Sequence, residues 1–156
     1  VDPVAYGSYT GKISPYLVKS MGAFGTLLNH AENSLGDQDL EDSIKRSQDA
    51  ELFTIVCANT PEYAHKVKGW APDLIAVEPP ELIGGDVSVS KAEPKIIEDS
   101  VAFVGEGRTL VGAGVKNSED VKIAIALGAS GVLLASGITK SEDPYNSLMD
   151  LVSGLQ

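Results

Sequence analysis

The chain has 156 residues, of which 43% are hydrophobic, a mean hydropathy of +0.03 and a formal net charge of −10. That is enough apolar material for one globular core, without the long uncharged run that a membrane span needs. The negative balance argues against a nucleic-acid partner, whose phosphates call for a basic face, but it leaves room for a small phosphorylated molecule held by backbone N–H groups.

The sequence opens Val1-Asp2-Pro3, with no initiator Met, basic stretch or apolar signal core, which leads us to expect an upstream segment. A loop rich in Tyr, Gly and Ser runs into a short helix near Pro15–Met21. From there short apolar runs alternate with amphipathic ones. Strand Gly25–Leu28 precedes helix Gln38–Asp49, and strand Leu52–Cys57 precedes helix Pro61–Lys68. Strand Leu74–Val77 is followed by helix Pro94–Phe103, strand Thr109–Val111 by helix Ser118–Leu127, and strand Gly131–Leu134 by helix Pro144–Val152. Helix starts are marked by Asn59/Thr60 before Pro61, by Asn117-Ser118-Glu119-Asp120, and by Asp143 before Pro144. Gly128 supplies a stop.

The nearly continuous apolar strands suit a parallel sheet covered on both faces, and the alternation implies βαβ units. A doubly wound sheet and a (β/α)8 barrel both fit. No linker or low-complexity stretch interrupts residues 1–156, so a single domain is expected. A complete barrel needs about 250 residues and eight strands, so five strands would make a partial one.

Chemistry-bearing residues gather at strand tips. His30 follows Thr26-Leu27-Leu28-Asn29 and is read either as structural or as catalytic, because it shares the tip face with Glu78. Glu32 is either a first-turn helix acid or a polar support for the site, and support is favoured. Cys57 ends a strand with no local His or basic partner and reads as a packed thiol. As the only cysteine it forms no intrachain disulfide, which fits a reducing cytosol.

Glu78 ends the run Leu74–Val77, ahead of Pro79-Pro80, Glu81-Leu82-Ile83 and Gly84-Gly85. A surface carboxylate is the bland reading. A catalytic acid followed by a lid is the sharper one, since barrels place catalytic groups at strand tips and prolines fix φ behind them. Gly112-Ala113-Gly114 and Ala135-Ser136-Gly137 each follow a strand. They are either tight turns or anion nests of backbone N–H groups, and barrels bind phosphate in their last two loops. No spacing points to a metal or to a nucleotide cofactor.

Taken together, Gly25–Asn33, Ala76–Gly84, Val111–Val115 and Gly131–Gly137 resemble the triosephosphate isomerase family, particularly its shorter archaeal form. Val1–Gly11 looks like the loop after that family's third strand, so the resemblance spans the chain and implies a (β/α)8 barrel lacking its first strands. It implies Glu78 as the base that moves a proton between adjacent carbons of a triose phosphate. It likewise implies His30 as the neutral electrophile, Glu32 as the acid of the His-x-Glu segment, and Pro79–Ser88 as a closing lid. Gly84, Gly114, Ala135 and Ser136 would hold the substrate phosphate through their N–H groups, with no cofactor.

Two departures stand out. Ala31 replaces a common Ser, and the family's Asn and catalytic Lys from the first-strand loop have no counterpart here. Neither Lys12 nor Lys140 matches that motif. An inactive phosphate-binding fragment is therefore the runner-up, and another phosphate-handling barrel enzyme the third reading. Without the first strands, open sheet edges and an open apolar interior are expected. The resemblance also implies a homodimer or homotetramer, with the loop around Thr10 at the interface.

Overall fold

The computed structural model describes residues 1–79 and 88–156. Among these, five parallel strands form one sheet: β1 (Gly25–Leu28), β2 (Phe53–Ala58), β3 (Leu74–Val77), β4 (Thr109–Val111) and β5 (Gly131–Val132). Their spatial order is β1-β2-β3-β4-β5, the order of the sequence. A doubly wound sheet reverses its strand order at a switch point, whereas this order never turns back. It is the winding of an incomplete α/β barrel.

The helices are α1 (Pro15–Ser20), α2 (Asp37–Asp49), α3 (Pro61–Lys68), α4 (Val89–Ala92), α5 (Pro94–Val104), α6 (Ser118–Ala126), α7 (Ser136–Thr139) and α8 (Pro144–Ser153), with a 3₁₀ turn at Ala31–Asn33. The expected starts work as caps. Thr60 Oγ1 accepts the Tyr63 N–H, Asn117 Oδ1 that of Asp120, and Asp143 Oδ1 that of Asn146, each replacing a bond the first helical turn lacks. Gly128 follows α6 at φ 96°, where a side chain would be strained.

The two-residue period of a strand divides the sheet into two faces. Leu28, Val56, Ala58, Ile75, Val77 and Val111 face the helices, and none is more than 3% exposed. Leu40 and Ile44 of α2, Ala64 and Val67 of α3, and Val104 of α5 complete that core. Val89, Ile97, Ala124 and Ala129 continue it over β4. On the other face Ile55, Leu74 and Leu110 are only half-buried and Leu27 is 42% exposed. This is the barrel's inner face, and among the described residues it is partly open, with Cys57 and Ala76 buried near the strand tips. β1 and β5 each have one strand neighbour among the described residues.

Three elements depart from expectation. β5 stops at Val132 rather than Leu134, because β4 ends at Val111 and only the Leu133 N–H to Val111 carbonyl bond continues the ladder. The short helices α4 and α7 lie where no amphipathic repeat is long enough to show.

At the strand starts, Thr54 donates through both its N–H and its hydroxyl to Asp73 Oδ2 (2.7 and 2.9 Å), and the Asp73 N–H returns a bond to Thr54 Oγ1 at 3.1 Å. Arg108 adds bonds to the Pro72 and Asp73 carbonyls. This clasp joins β2, β3 and β4 at the end of a barrel that serves stability.

Gly25 has to be glycine for a plain steric reason: a Cβ there would lie 2.3 Å from the Phe53 carbonyl oxygen on β2. Gly25→Ala should therefore part β1 from β2 and lower stability by about 1–3 kcal/mol, read as a lower urea midpoint. Acid should act through helix starts. Bonds from Lys66 and Tyr63 hold the Asp37 carboxyl below its ordinary value of 3.8, and the Asn146 N–H and side-chain amide do the same for Asp143. Carboxyls lowered in the fold contribute stability that is present above the ordinary value and lost as pH falls through the folded one. The urea midpoint should thus drop from about pH 4 downwards, and the drop should be shallower in Asp143→Ala.

Candidate active site

The tips of all five strands build the site. β1 ends at Leu28, and Asn29 turns the chain with φ 59°, a left-handed conformation that Asn tolerates better than most residues. The Asn29 side chain is locked at both ends. Its Nδ2 donates to the Cys57 carbonyl at 3.0 Å, and its Oδ1 accepts the Leu35 N–H at 2.9 Å. The tip of β1 is thereby tied to the tip of β2, and His30 follows at once.

His30 caps the 3₁₀ turn, and its Nδ1 accepts the Glu32 N–H at 3.2 Å. With that lone pair engaged, the neutral ring carries its proton on Nε2. Nε2 lies 3.8 Å from Glu78 Oε2. Glu32 is exposed, with its carboxylate 3.7 Å from His30 Nδ1. It is both the first-turn acid and a neighbour of the imidazole, and its backbone sets the imidazole's orientation.

Glu78 follows Val77 by one residue, so strand alternation turns it to the inner face. Its N–H continues the ladder to the Ala58 carbonyl at 2.9 Å. The carboxylate is 7% exposed, and Oε2 has no hydrogen-bond partner among the described residues. A buried orphan oxygen costs stability, on the order of 1–3 kcal/mol, and calls for a functional reason. Gly112 faces Glu78 across the ladder, its N–H bound to the Val77 carbonyl at 3.0 Å. A Cβ on Gly112 would stand 2.0 Å from Glu78 Oε1. The missing side chain is the space the carboxylate occupies.

Cys57 supplies the opposite wall. Burial pushes its thiol above the ordinary range, and the adjacent Glu78 carboxylate pushes it further. The sequence reading of a packed thiol therefore holds, but with an acid for a neighbour. That neighbour is out of reach of local sequence, since it stands one strand away.

A cleft of about 690 Å³ gathers His30, Glu32, Glu78, Gly114, Ala135 and Ser136, with Leu27, Leu133 and Leu134 as apolar lining. Gly84, and all of the expected lid but Pro79 and Ser88, lie outside the described residues. Ala113 and Gly114 have successive positive φ values of 69° and 72°, which for Ala113 is a strained backbone. α7 begins at Ser136, so the first N–H groups of that turn lack intrahelical acceptors. Both glycine-containing loops thus border the same cleft as Glu78 and His30. Lys116 and Lys140 also line it. Sequence reasoning gave neither a role, and only the closeness of the two loops reveals them. Lys12 instead pairs with Asp2 Oδ1 at 3.0 Å. A smaller pocket, lined by Phe24, Gln48, Glu51, Leu52, Phe53 and Asp73, opens at the strand-start end.

Comparison with known proteins agrees with the fold. The family model for triosephosphate isomerase matches residues 1–154. The chain is 44% identical to the triosephosphate isomerase of Methanobacterium bryantii over 98% of its own length and 70% of that protein's. It is also 44% identical to those of Methanopyrus kandleri (100% and 71% covered) and Archaeoglobus fulgidus (97% and 70% covered). Among solved structures, thiamine phosphate pyrophosphorylase from Pyrococcus furiosus superposes with a TM-score of 0.68 at 12% identity, covering 90% of this chain and 63% of that one. At such identity the likeness concerns the fold alone.

Two outcomes follow from the packing around Glu78. A crystal structure of Gly112→Ala should show the carboxylate displaced by about 1 Å or more, because atoms cannot interpenetrate that far. The Cys57 thiol should resist alkylation at pH 8 until denaturant is added. It should stay resistant in Glu78→Gln, because burial is the larger of its two causes.

Proposed function

The chain belongs to the triosephosphate isomerase family, and we propose that Glu78 and His30 are the proton-transfer pair of that reaction here. Dihydroxyacetone phosphate and glyceraldehyde 3-phosphate interconvert by moving a proton between adjacent carbons through an enediolate. Glu78 takes the proton from one carbon and returns it to the next. His30 directs its Nε2–H at the carbonyl oxygen, stabilises the charge that develops there, and exchanges protons between the two oxygens. The N–H groups of Gly114, Ala135 and Ser136 hold the phosphate, and Glu32 orients His30 through the bond from its N–H to Nδ1.

One observation carries this reading. The buried Oε2 of Glu78 has no partner among the described residues and stands 3.8 Å from His30 Nε2. That separation is too long for a hydrogen bond. The two groups therefore face the cleft rather than satisfy each other, and a substrate carbon and its oxygen can meet both.

The same reading treats residues 1–156 as one partial barrel domain that works as a homodimer or homotetramer. The loop around Thr10, where Tyr6, Tyr9 and Ile13 are exposed, is its contact surface. Among the described residues no helix is long and apolar enough to cross a membrane. The cytosol is the compartment we propose, since the single cysteine suits a reducing one.

In a coupled isomerase assay, Glu78→Gln should lower kcat by about 10²–10⁴ with KM little changed. Full activity in that variant would remove Glu78 from the role of base. Glu78→Asp should cost about 10²-fold, because a retracted carboxylate is misplaced by roughly 1 Å.

A further inference from the structure

Beside the cleft lies a polar cluster around a buried carboxylate that the proton transfer does not use. Asp120, in the first turn of α6, is 3% exposed. Its Oδ1 accepts from the Lys91 ammonium at 2.8 Å and the Ser88 hydroxyl at 2.9 Å. Its Oδ2 accepts the Lys116 N–H at 3.0 Å, and its backbone carbonyl accepts the Ser90 hydroxyl at 3.2 Å. Burial pushes this carboxyl up, yet the bonds from Lys91, Lys116 and Ser88 outweigh burial and hold it below the ordinary range. It is an ionised acid with almost no exposed surface of its own.

The placement of those donors matters. Lys116 ends the loop that holds Ala113 and Gly114 in their left-handed backbone. Ser88, Ser90 and Lys91 belong to the turn of α4, whose Val89 N–H reaches the Ala113 carbonyl at 3.3 Å. The loop is thus held at Ala113 by α4 and at Lys116 by Asp120, and Asp120 also holds α4. Remove the carboxylate and both restraints loosen together. The Lys91 side chain is 41% exposed, so its ion pair alone contributes little, but the Asp120 carboxylate is buried and also bonded to the Ser88 hydroxyl and the Lys116 N–H, so removing it leaves several polar groups unpaired.

We propose that Asp120 is a positioning residue for phosphate binding, fixing the Ala113–Lys116 loop so that its N–H groups meet the anion. This rests on Gly114 contacting the substrate phosphate, as read above. Asp120 itself touches no substrate. Its effect should reach phosphate-bearing ligands and spare the proton transfer.

The test compares Asp120→Asn and Asp120→Ala with the parent enzyme. Asn keeps the volume but puts an amide NH₂ where one acceptor oxygen stood, so at least one donor faces another donor. The probes are inorganic phosphate, followed by calorimetry, and two substrates, glyceraldehyde 3-phosphate and glyceraldehyde, which lacks the phosphate. We expect inorganic phosphate to bind about tenfold more weakly in Asp120→Asn, with a similar rise in KM for the phosphorylated substrate. Turnover of glyceraldehyde should stay within about twofold. Lys91→Met should weaken phosphate binding in the same direction.

Unchanged phosphate affinity in folded Asp120→Asn would overturn the proposal. So would an equal loss on both substrates, which is what general damage to the barrel produces. Asp120→Asn is the deciding variant if Asp120→Ala fails to fold. Failure of the parent enzyme to bind phosphate at the cleft would instead count against the role of Gly114, and so is distinguishable.

Discussion

Everything at the site depends on one steric constraint in the sheet, the pairing of Glu78 with a residue that has no side chain. Parallel strands lie about 4.8 Å apart, so inner-face side chains in register compete for the same space. The register of β3 and β4 pairs Val77 with Val111, and one residue further on it sets Glu78 against Gly112. Had β3 slipped by one residue, the acid would face the helices and Val77 the cleft. The hydrophobic core favours this register, in which Val77 and Val111 are both buried against the helices. In this way the packing of apolar side chains fixes the place of a charged one.

Most of the architecture was legible in the sequence because its signals are local. Proline at helix starts, Thr60, Asn117 and Asp143 as caps, and Gly128 as a stop all act within a turn, and each does so in the fold. The tips bearing His30 and Glu78 were legible too, since a strand's end is marked by where its apolar run stops. Less legible were features whose cause lies across the sheet. β5 is short because β4 is short. The four-residue helices α4 and α7 arise from loop closure and packing, and they have no periodicity to read.

The site shows the same division. The glycine-containing loops read as either tight turns or anion nests, and Gly114 does border the cleft, but Gly112, two residues before it, makes room for Glu78 instead. Cys57 read as a packed thiol, and it is, yet only the fold reveals that it forms a wall of the acid's pocket. Asp120 read as one acid among several at the start of a helix, and its bonds to Lys91 and Ser88 span an interval that no local pattern covers. The winding of the sheet likewise settles what alternation alone left open, since a barrel and a doubly wound sheet share the same string of elements.

The clasp of Thr54 and Asp73 lies at the opposite end of the strands from Glu78. Thr54 is four residues below Ala58 on β2, which at about 3.3 Å per residue makes roughly 13 Å. Perturbations separated by more than about 10 Å and sharing no partners add independently. The molecule is therefore divided into an end that sets how long it lasts and an end that sets how fast it works. A lineage living at a higher temperature can strengthen the first by substitutions around Thr54, Asp73 and Arg108 while the geometry between His30 and Glu78 stays as it is.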